Sequence, residues 1–309
     1  MSPLFSILIA NYNNGAYLLE CIDSVLKQSY DNWEIVIVDD KSTDISLEVY
    51  KNVQQNPRIR IYYNESNRGV GFTKHRLIEL ARGDFFGFLD ADDRLEQNAI
   101  EIMVKEHLCN PQCSLINSSY RLLTDRQTLS TPPYAIGQIK NDPNDILLSI
   151  GTRVGHFATI KRDAYGKTKG INPSLRLAED LDLYLKMEEV GEIRFLNIPL
   201  YQYRIDNLNS ISIGEDKKNL NLYHVAKVRL EAYARRINGR YKNMNLYRNL
   251  YIEYMYVEMK RILRYSGNFT NTILFKYMPI YIKLSGYTIK SMKRMLKIFI
   301  DVILGYDRF

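Results

Sequence analysis

The sequence predicts an α/β fold with a Rossmann-like, mostly parallel sheet and flanking helices, followed by an α-helical C-terminal region. Apolar, β-rich runs alternate with helix-like stretches through residues 1–110, which is the pattern of successive βαβ units. The 309 residues are enough to bury a sizeable core. Charge is divided unevenly, because residues 1–216 hold 23 Lys/Arg and 30 Asp/Glu whereas residues 217–309 hold 19 and 5. We therefore expect two domains, 1–216 and 217–309.

The predicted elements follow in chain order, with β-branched and aromatic residues in the strands and apolar residues at spacings of three and four in the helices. The strands are FSILIA, WEIVIVDD, IRIYYNE and DFFGFLDADD, and the helices after them are AYLLECIDSVLKQ, DISLEVYKNVQQN, GFTKHRLIELARG and QNAIEIMVKEHL. Residues 111–175 are less regular, with strand-like CSLINSSYRLL and HFATIKRD on either side of turn-rich TPPYAIGQIKNDPND. EDLDLYLKMEEVG predicts a helix that closes at Gly191.

Polar clusters follow each of the first four strands: NYNN, DDKST, NESNRG and DADD. The carboxyl ends of parallel strands share one edge, so these clusters predict one ligand cleft, whereas ordinary turn chemistry is the simpler alternative. If the chain stays extended, Asp90 and Asp92 point to the same side and favour a hard divalent cation, Mg²⁺ or Mn²⁺, with a diphosphate as its guest. Neither GxGxxG nor GxxxxGK[ST] is present, which weakens dehydrogenase and P-loop hypotheses.

Several features bear on location. The N-terminus has no basic region before its short apolar run, and no stretch approaches eighteen uninterrupted apolar residues. Three cysteines form no disulfide framework. We therefore expect a cytoplasmic protein without a spanning helix.

At these motifs the sequence resembles the family 2 glycosyltransferases, nucleotide-sugar enzymes with the GT-A fold. The resemblance rests on SILIANYNNGAYLLECIDSVLKQSYDNWEIVIVDDKSTD, NRGVGFTKHRLIELARGDFFGFLDADD, LAEDLDLYLKM and YRIDNLNSIS, and covers roughly residues 3–213. It implies that residues 1–110 form the nucleotide-sugar-binding half and residues 111–216 the acceptor half.

The resemblance also implies residue roles. Tyr12 would lie against the nucleobase, Asp40 would hydrogen-bond it, and Asp92 would bind the metal. Asp180 matches the position of the catalytic base. The remaining implied residues are Asp39, Arg68, Lys74 and Asp90 for the nucleotide, Asp90 also for the metal, and Glu179, Arg204, Asp206 and His156 for the acceptor side. The family often has Ala-Arg-Asn where this chain has Thr73, Lys74 and His75.

Asp206 stands where many relatives have a histidine, and it could be a second metal contact or a loop cap. His156 has no partner that the sequence reveals, so a histidine without catalytic duty is the simpler interpretation. For Asp180, a structural role at a helix start is the alternative, because acidic residues are favoured there.

The activity that the resemblance implies is metal-dependent, inverting transfer of one sugar per encounter. The donor would be a nucleoside diphosphate sugar, with UDP as the expected nucleotide, and the acceptor a glycan or polyprenyl-linked hydroxyl in cell-surface polysaccharide biosynthesis. Mn²⁺ or Mg²⁺ would neutralise the leaving diphosphate, and a carboxylate would take the acceptor proton. Two alternatives remain, a sugar nucleotidyltransferase and a catalytically silent membrane-associated scaffold.

Residues 287–304, YTIKSMKRMLKIFIDVIL, predict a basic amphipathic helix. The apolar face carries Ile289, Met292, Met295, Leu296, Phe299 and Ile303, and the other face carries Lys290, Lys293, Arg294, Lys297 and Asp301. Residues 287–309 are therefore a candidate contact with an anionic membrane, on the cytoplasmic face of the inner membrane. The alternatives are a helix packed on the catalytic domain and a dimer interface. Nucleic acid is a poorer partner, because the acidic body would repel phosphate.

Overall fold

The computed structural model of the chain describes residues 2–125, 128, 154–207, 215–238, 244–265 and 270–304. The chain divides into two compact units, Met1–Ser210 and Ile211–Phe309. The strands, all in the first unit, are β1 (Phe5–Asn11), β2 (Trp33–Asp39), β3 (Ile59–Tyr63), β4 (Phe85–Phe88), β5 (Arg94–Leu95), β6 (Cys113–Leu123), β7 (Thr159–Lys161) and β8 (Glu192–Arg204). The helices are α1 (Gly15–Leu26), α2 (Ser46–Val53), α3 (Val70–Leu80), α4 (Ala99–Cys109), α5 (Arg162–Tyr165), α6 (Glu179–Glu188), α7 (Glu215–Asn238), α8 (Met244–Tyr265), α9 (Thr270–Ser285) and α10 (Ile289–Leu304).

The first unit is built on one mixed sheet of eight strands in the order β3-β2-β1-β4-β7-β6-β8-β5. Strands β1 to β4 are parallel to one another, and β6 is parallel to β8. Strands β7 and β5 run antiparallel to their neighbours. The predicted fold class, a mostly parallel sheet with flanking helices and a helical C-terminal region, is confirmed.

Alternation along the strands explains why both faces of this sheet are covered. Ile7 and Ile9 of β1 join one core cluster with the inner side of α1, whereas Leu8 joins a second cluster with α3. Strand β2 divides in the same way, Ile35 and Ile37 to one side. A strand buried on both faces reads as an unbroken apolar run, because successive side chains point to opposite faces.

The fourth strand is shorter than expected. The sequence predicts an extended DFFGFLDADD, but β4 ends at Phe88, and a turn follows in which the Asp93 N–H donates to the Asp90 carbonyl oxygen at 3.0 Å. The extended prediction is therefore wrong for Asp90 and Asp92. The physical reason is a contact with another strand. The Asp93 carboxylate accepts hydrogen bonds from residues of β8, and the chain turns after β4 to make them.

The less regular middle of the chain is partly accounted for. CSLINSSYRLL forms β6 and HFATIKRD contains β7, while TPPYAIGQIKNDPND lies outside the described residues. The predicted boundary at residue 216 stays a prediction.

The second unit contains helices α7 to α10. Its interior holds several tyrosines, among them Tyr233, Tyr251 and Tyr281, each fully buried. Within the described parts of the chain, no helix is both long enough and apolar enough to cross a membrane.

Candidate active site

Three of the predicted site residues lie at the carboxyl edge of the sheet. Tyr12 follows β1, Asp40 follows β2, and Asp90 follows β4 on the neighbouring strand. Asp180, at the start of α6, lies close enough to Asp90 for their charges to affect each other. The structure thus brings the residues of the DADD segment together with the candidate base, although about ninety positions separate them in the sequence.

Asp39 is buried and holds the ends of β1 and β2 together. Its carboxylate accepts hydrogen bonds from the Tyr50 hydroxyl at 2.7 Å, the Ser42 N–H at 2.8 Å and the Asn11 amide at 3.1 Å. A buried carboxylate with three donors is fully compensated and rigid. Its supporting role beside Asp40 stays a prediction.

Asp40 folds the loop that leads into α3. Its carboxylate accepts from the backbone N–H groups of Arg68 and Gly69, both at 2.8 Å, and from the Asn64 amide at 2.7 Å. Gly69 has φ = 85°, a conformation that favours glycine and lets both N–H groups converge on one carboxylate. Asp40 therefore shapes this loop whatever else it binds, and its contact with a nucleobase stays a prediction.

Two predicted nucleotide residues present accessible surfaces. Tyr12 is 47% exposed, which leaves its ring available for stacking. The Arg68 guanidinium lies 4.1 Å from the Phe72 ring centroid, and Arg68 is exposed. An aromatic face and a cation on one edge suit a base and a phosphate, respectively.

The carboxylates of Asp90 and Asp92, in the turn after β4, differ in exposure and in hydrogen bonding. Asp90 is exposed, and none of the described residues donates a hydrogen bond to its carboxylate. The Asp92 carboxylate is partly buried and accepts from the Asn207 amide at 2.6 Å. Burial first, and the negative charge of Asp90 second, raise the pKa of Asp92. The two carboxylates therefore repel each other in the absence of a cation.

Asp93, which the sequence analysis did not select, anchors this turn. Its carboxylate accepts from the Tyr201 hydroxyl at 2.6 Å and from the Arg204 N–H at 2.7 Å. The Tyr201 oxygen also accepts from the Asp90 N–H at 3.2 Å, and the Arg204 Nε donates to the Asp92 carbonyl oxygen at 2.9 Å. Strand β8 thus fixes the position of all three aspartates. The sequence did contain a sign of this role. A third Asp in this segment is too polar for the end of a buried strand unless it has hydrogen-bond partners there.

Lys74 connects the two halves of the first unit. Its ammonium pairs with the Glu179 carboxylate at 2.7 Å, and both side chains are nearly buried. Burial lowers the pKa of Lys74, but the charges of Glu179, Asp90 and Asp180 outweigh it and raise the pKa overall. Glu179, predicted for the acceptor side, therefore contacts a residue predicted for the nucleotide side.

Asp180 has an exposed edge and accepts a hydrogen bond from the Leu181 N–H at 2.7 Å. Desolvation first, and the negative charge of Glu179 second, raise the pKa of Asp180, whereas Lys74 lowers it. A carboxylate with a raised pKa is a stronger base for a hydroxyl proton. Ala178, directly before this helix, has φ = 59°, a strained conformation for alanine that is common beside functional residues.

Arg204 is buried and holds loops together. Its guanidinium donates to Glu20 at 2.7 Å and to Asp125, and lies 4.4 Å from the Tyr17 ring centroid. Asp206 accepts a hydrogen bond from the Asp125 N–H at 2.8 Å, a contact that fits the loop-cap alternative for Asp206. Their acceptor-side roles stay predictions.

His156 lies within an aromatic group. It stacks on Tyr203 and Tyr201, with ring centroids 4.4 and 5.3 Å apart, and meets the edge of Tyr120 at 4.3 Å. Burial lowers the pKa of His156 to about 4, so the imidazole is neutral at pH 7. These rings are the partners that the sequence did not reveal.

The donor set fits a hard divalent cation with few protein ligands. Asp90 and Asp92 supply carboxylate oxygens, which Mg²⁺ and Mn²⁺ prefer. In the described ranges, no group of three or more His, Cys, Asp or Glu residues could hold a metal by itself. The remaining coordination positions would therefore belong to water or to a ligand's own oxygens.

Solved structures with similar backbones define the fold class. S. aureus TarS 1-349 in complex with UDP-GlcNAc aligns with a TM-score of 0.60 at 15% identity, covering 97% of this chain and 92% of that one. The mannosyltransferase PcManGT from Pyrobaculum calidifontis, in complex with GDP-Man and Mn²⁺, aligns with a TM-score of 0.58 at 15% identity, covering 96% and 79%. At these identities the likeness shows the fold alone.

Sequence comparison identifies the family. The family described as "Glycosyl transferase family 2" matches residues 6–168. The teichuronic acid biosynthesis glycosyltransferase TuaG of Bacillus subtilis, a putative assignment in its own name, is 30% identical over 70% of this chain and 84% of its own length. Hyaluronan synthase of Pasteurella multocida is 32% identical over 70% of this chain, which spans only 22% of that protein. The chain belongs to glycosyl transferase family 2, as the sequence motifs predicted.

Proposed function

We propose that this chain transfers a sugar from a nucleoside diphosphate sugar to an acceptor hydroxyl with inversion at the anomeric carbon. The observation that carries the proposal is the exposed carboxylate of Asp90, which accepts no hydrogen bond from the described residues and lies beside Asp92 and within electrostatic range of Asp180. Asp92 accepts a hydrogen bond from the Asn207 amide, but the negative charge of Asp90 beside it still raises the pKa of Asp92. Such an arrangement is stabilised when a cation and its ligand bind.

The nucleotide side of the site has four parts. Tyr12 stacks on the base, Asp40 and the loop it shapes line the base pocket, and Asp39 supports them. Asp92, together with Asp90, would hold Mn²⁺ or Mg²⁺, and Asp90 would also lie near the ribose. When bound, the ion neutralises charge on the departing diphosphate. Arg68 and Lys74 add positive charge near the phosphates.

The chemical step needs a proton acceptor on the opposite side of the sugar. The acceptor oxygen bonds to the anomeric carbon while the bond from that carbon to the diphosphate oxygen breaks. The hydroxyl proton passes to the Asp180 carboxylate, whose raised pKa suits this role. The Lys74–Glu179 ion pair keeps the base near the nucleotide side, and one displacement inverts the configuration.

The donor and the pathway are inferred from relatives. The TarS structure contains UDP-GlcNAc, whereas PcManGT contains GDP-Man, so UDP is our first choice and GDP the rival. Relatives named for hyaluronan, chondroitin and teichuronic acid support polysaccharide biosynthesis. We infer a glycan or polyprenyl-linked acceptor, handled in the cytoplasm or at the inner face of the cytoplasmic membrane.

Calorimetric titration of UDP with and without Mn²⁺ tests the proposal. The native protein should bind UDP in an ion-dependent way, and Asp92→Ala should lose that dependence. Asp163→Ala, at an exposed acidic position on α5, is the matched control and should behave as native. A screen for transfer from UDP- and GDP-sugars then identifies the donor.

Three outcomes contradict the proposal in different ways. Ion-independent UDP binding that survives Asp92→Ala would reject the cation role of the turn. Release of pyrophosphate from a nucleoside triphosphate and a sugar phosphate would indicate a nucleotidyltransferase. Failure to bind UDP, GDP or other nucleoside diphosphates would favour the silent scaffold.

A further inference from the structure

Helix α10 turns apolar side chains toward solvent. Five of them are between 40% and 75% exposed: Ile289, Met292, Leu296, Phe299 and Ile300. Spacings of three, four and seven residues place them in one stripe along the helix. An amphipathic helix in a globular protein normally buries such a stripe, so this orientation requires a reason.

The opposite side of the helix provides the attachment. Ser291 and Ile298 are buried. The Arg294 guanidinium donates to both carboxylate oxygens of Glu253, at 2.9 and 2.6 Å, and lies 4.7 Å from the Tyr256 ring centroid. Helix α10 is thus held on α8 partly through a bidentate ion pair. The apolar side chains that the sequence predicted on one face of this helix are mostly exposed.

Lysines border the stripe on one side. Lys290, Lys293 and Lys297 are exposed and follow one another at spacings of three and four residues. Lys290 reaches Glu253 at 3.2 Å, but Glu253 is shared with Arg294. Residues 211–309 carry 19 Lys/Arg against 7 Asp/Glu, so the whole unit is strongly positive. Tyr287, just before the helix, is 85% exposed.

We propose that this surface, the lipid face, binds an anionic bilayer. It consists of Tyr287, the five-residue apolar stripe and the three bordering lysines. The stripe enters the boundary between headgroups and acyl chains, the lysine stems follow it, and their ammonium groups contact lipid phosphates. Tyrosine is favoured at that depth because its ring is apolar and its hydroxyl is polar.

A bilayer fits this surface better than a second copy of the chain. Specific protein interfaces use about 20–30 residues a side and are depleted in lysine, whereas this stripe has five apolar side chains beside three lysines. A partly inserted basic helix has this narrow apolar stripe and lysine border. The inference deepens the proposed function, since a lipid-linked acceptor would be reached at such a surface, but its readout is independent of sugar transfer.

Vesicle sedimentation with the full chain tests the lipid face. Native protein should bind vesicles of mixed phosphatidylcholine and phosphatidylglycerol, bind pure phosphatidylcholine weakly, and dissociate as salt is raised. Met292→Gln/Leu296→Gln/Phe299→Gln should weaken partitioning by about tenfold or more. Leu220→Gln/Val257→Gln, at exposed apolar positions on α7 and α8, is the matched control and should bind as native.

A charge pair separates the lysine contribution. Lys293→Gln/Lys297→Gln should lower partitioning by about fivefold for each lysine. Lys276→Gln/Lys283→Gln removes the same charge from exposed positions on α9 and should have a smaller effect. All these side chains are exposed, so melting temperatures should be unchanged. If the apolar triple variant nevertheless unfolds, the lysine pair still decides the question.

Several results would overturn the inference. The native protein would not bind anionic vesicles, or the folded apolar triple variant would bind them as the native protein does. Alternatively, the lysine pair variant and its α9 control would lose the same amount of vesicle binding. Light scattering provides one more such result. If the native protein is a dimer, the apolar variant is a monomer and their vesicle binding is the same, the surface belongs to an interface with a second copy of the chain. UDP binding, measured in parallel, stays native in every lipid-face variant.

Discussion

The proposed functional surfaces of the two units differ in kind: one gathers charged side chains at a sheet edge, and the other exposes apolar side chains on a helix. In the first, carboxylates and a lysine are gathered at a sheet edge, where Asp93 and Glu179 are almost inaccessible. In the second, tyrosines fill the interior while aliphatic side chains of α10 stand in solvent. Asp93 and Glu179 have partners within the protein, but the adjacent negative charges of Asp90 and Asp92 and the exposed apolar surface of α10 both cost free energy, so each indicates a ligand that offsets the cost.

The two surfaces also require different chemical properties of their ligands. At the sheet edge the missing component is positive charge with oxygen-seeking coordination, because Asp90 and Asp92 repel each other. At α10 it is an apolar phase bordered by negative charge. We therefore expect variants in one unit to leave the binding property of the other intact.

Asp180→Asn should give the largest effect. Without a proton acceptor, kcat for sugar transfer should fall by about a hundredfold to ten-thousandfold, while UDP affinity and vesicle binding stay native. Initial rates with the donor identified by screening provide the measurement, and Asp163→Asn is the control. Transfer at a near-native rate would remove Asp180 from the mechanism.

Tyr201→Phe should have the next largest effect, through position and not through contact with substrate. It leaves Asp93 and the Asp90 N–H each without one hydrogen-bond partner, which should destabilise the unit by about 1.5–3 kcal/mol. The affinity for UDP should weaken about tenfold with Mn²⁺ and remain unchanged without it. Tyr203→Phe, on the same strand, is the control. Equal weakening with and without the ion would reduce Tyr201 to a purely structural residue.

Lys74→Met should give the smallest and most specific change, a shift in pH dependence. Lys74 lowers the pKa of Asp180, so its removal raises that pKa further and moves the acid limb of the kcat/KM profile to higher pH. Lys74→Arg retains the charge and should retain the profile. If the variant is slower but the acid limb of its pH profile is unchanged, Lys74 contributes to phosphate binding and not to the pKa of Asp180.

Agreement between sequence and structure is uneven across the site. The βαβ alternation and the polar strand ends predicted which residues share the carboxyl edge of the sheet, because local periodicity and chain topology suffice for that. The same reasoning wrongly extended β4 through Asp93. Nothing in the local sequence reveals that Tyr201 and Arg204, on β8, donate hydrogen bonds to the Asp93 carboxylate. Glu179 was assigned to the acceptor side by its neighbour Asp180, and its pairing with Lys74 depends on the distant helix α3.

The sequence by itself determined the fold class, the family and the residue types at the sheet edge, because periodicity and motifs are local properties of the chain. It also predicted an amphipathic helix over residues 287–304, which the structure places at Ile289–Leu304. Only the tertiary structure decided which way that helix faces, which aspartate is exposed and which is anchored. These depend on contacts between residues far apart in sequence, such as Arg294 with Glu253 and Asp93 with Tyr201, whose free energy no local pattern contains.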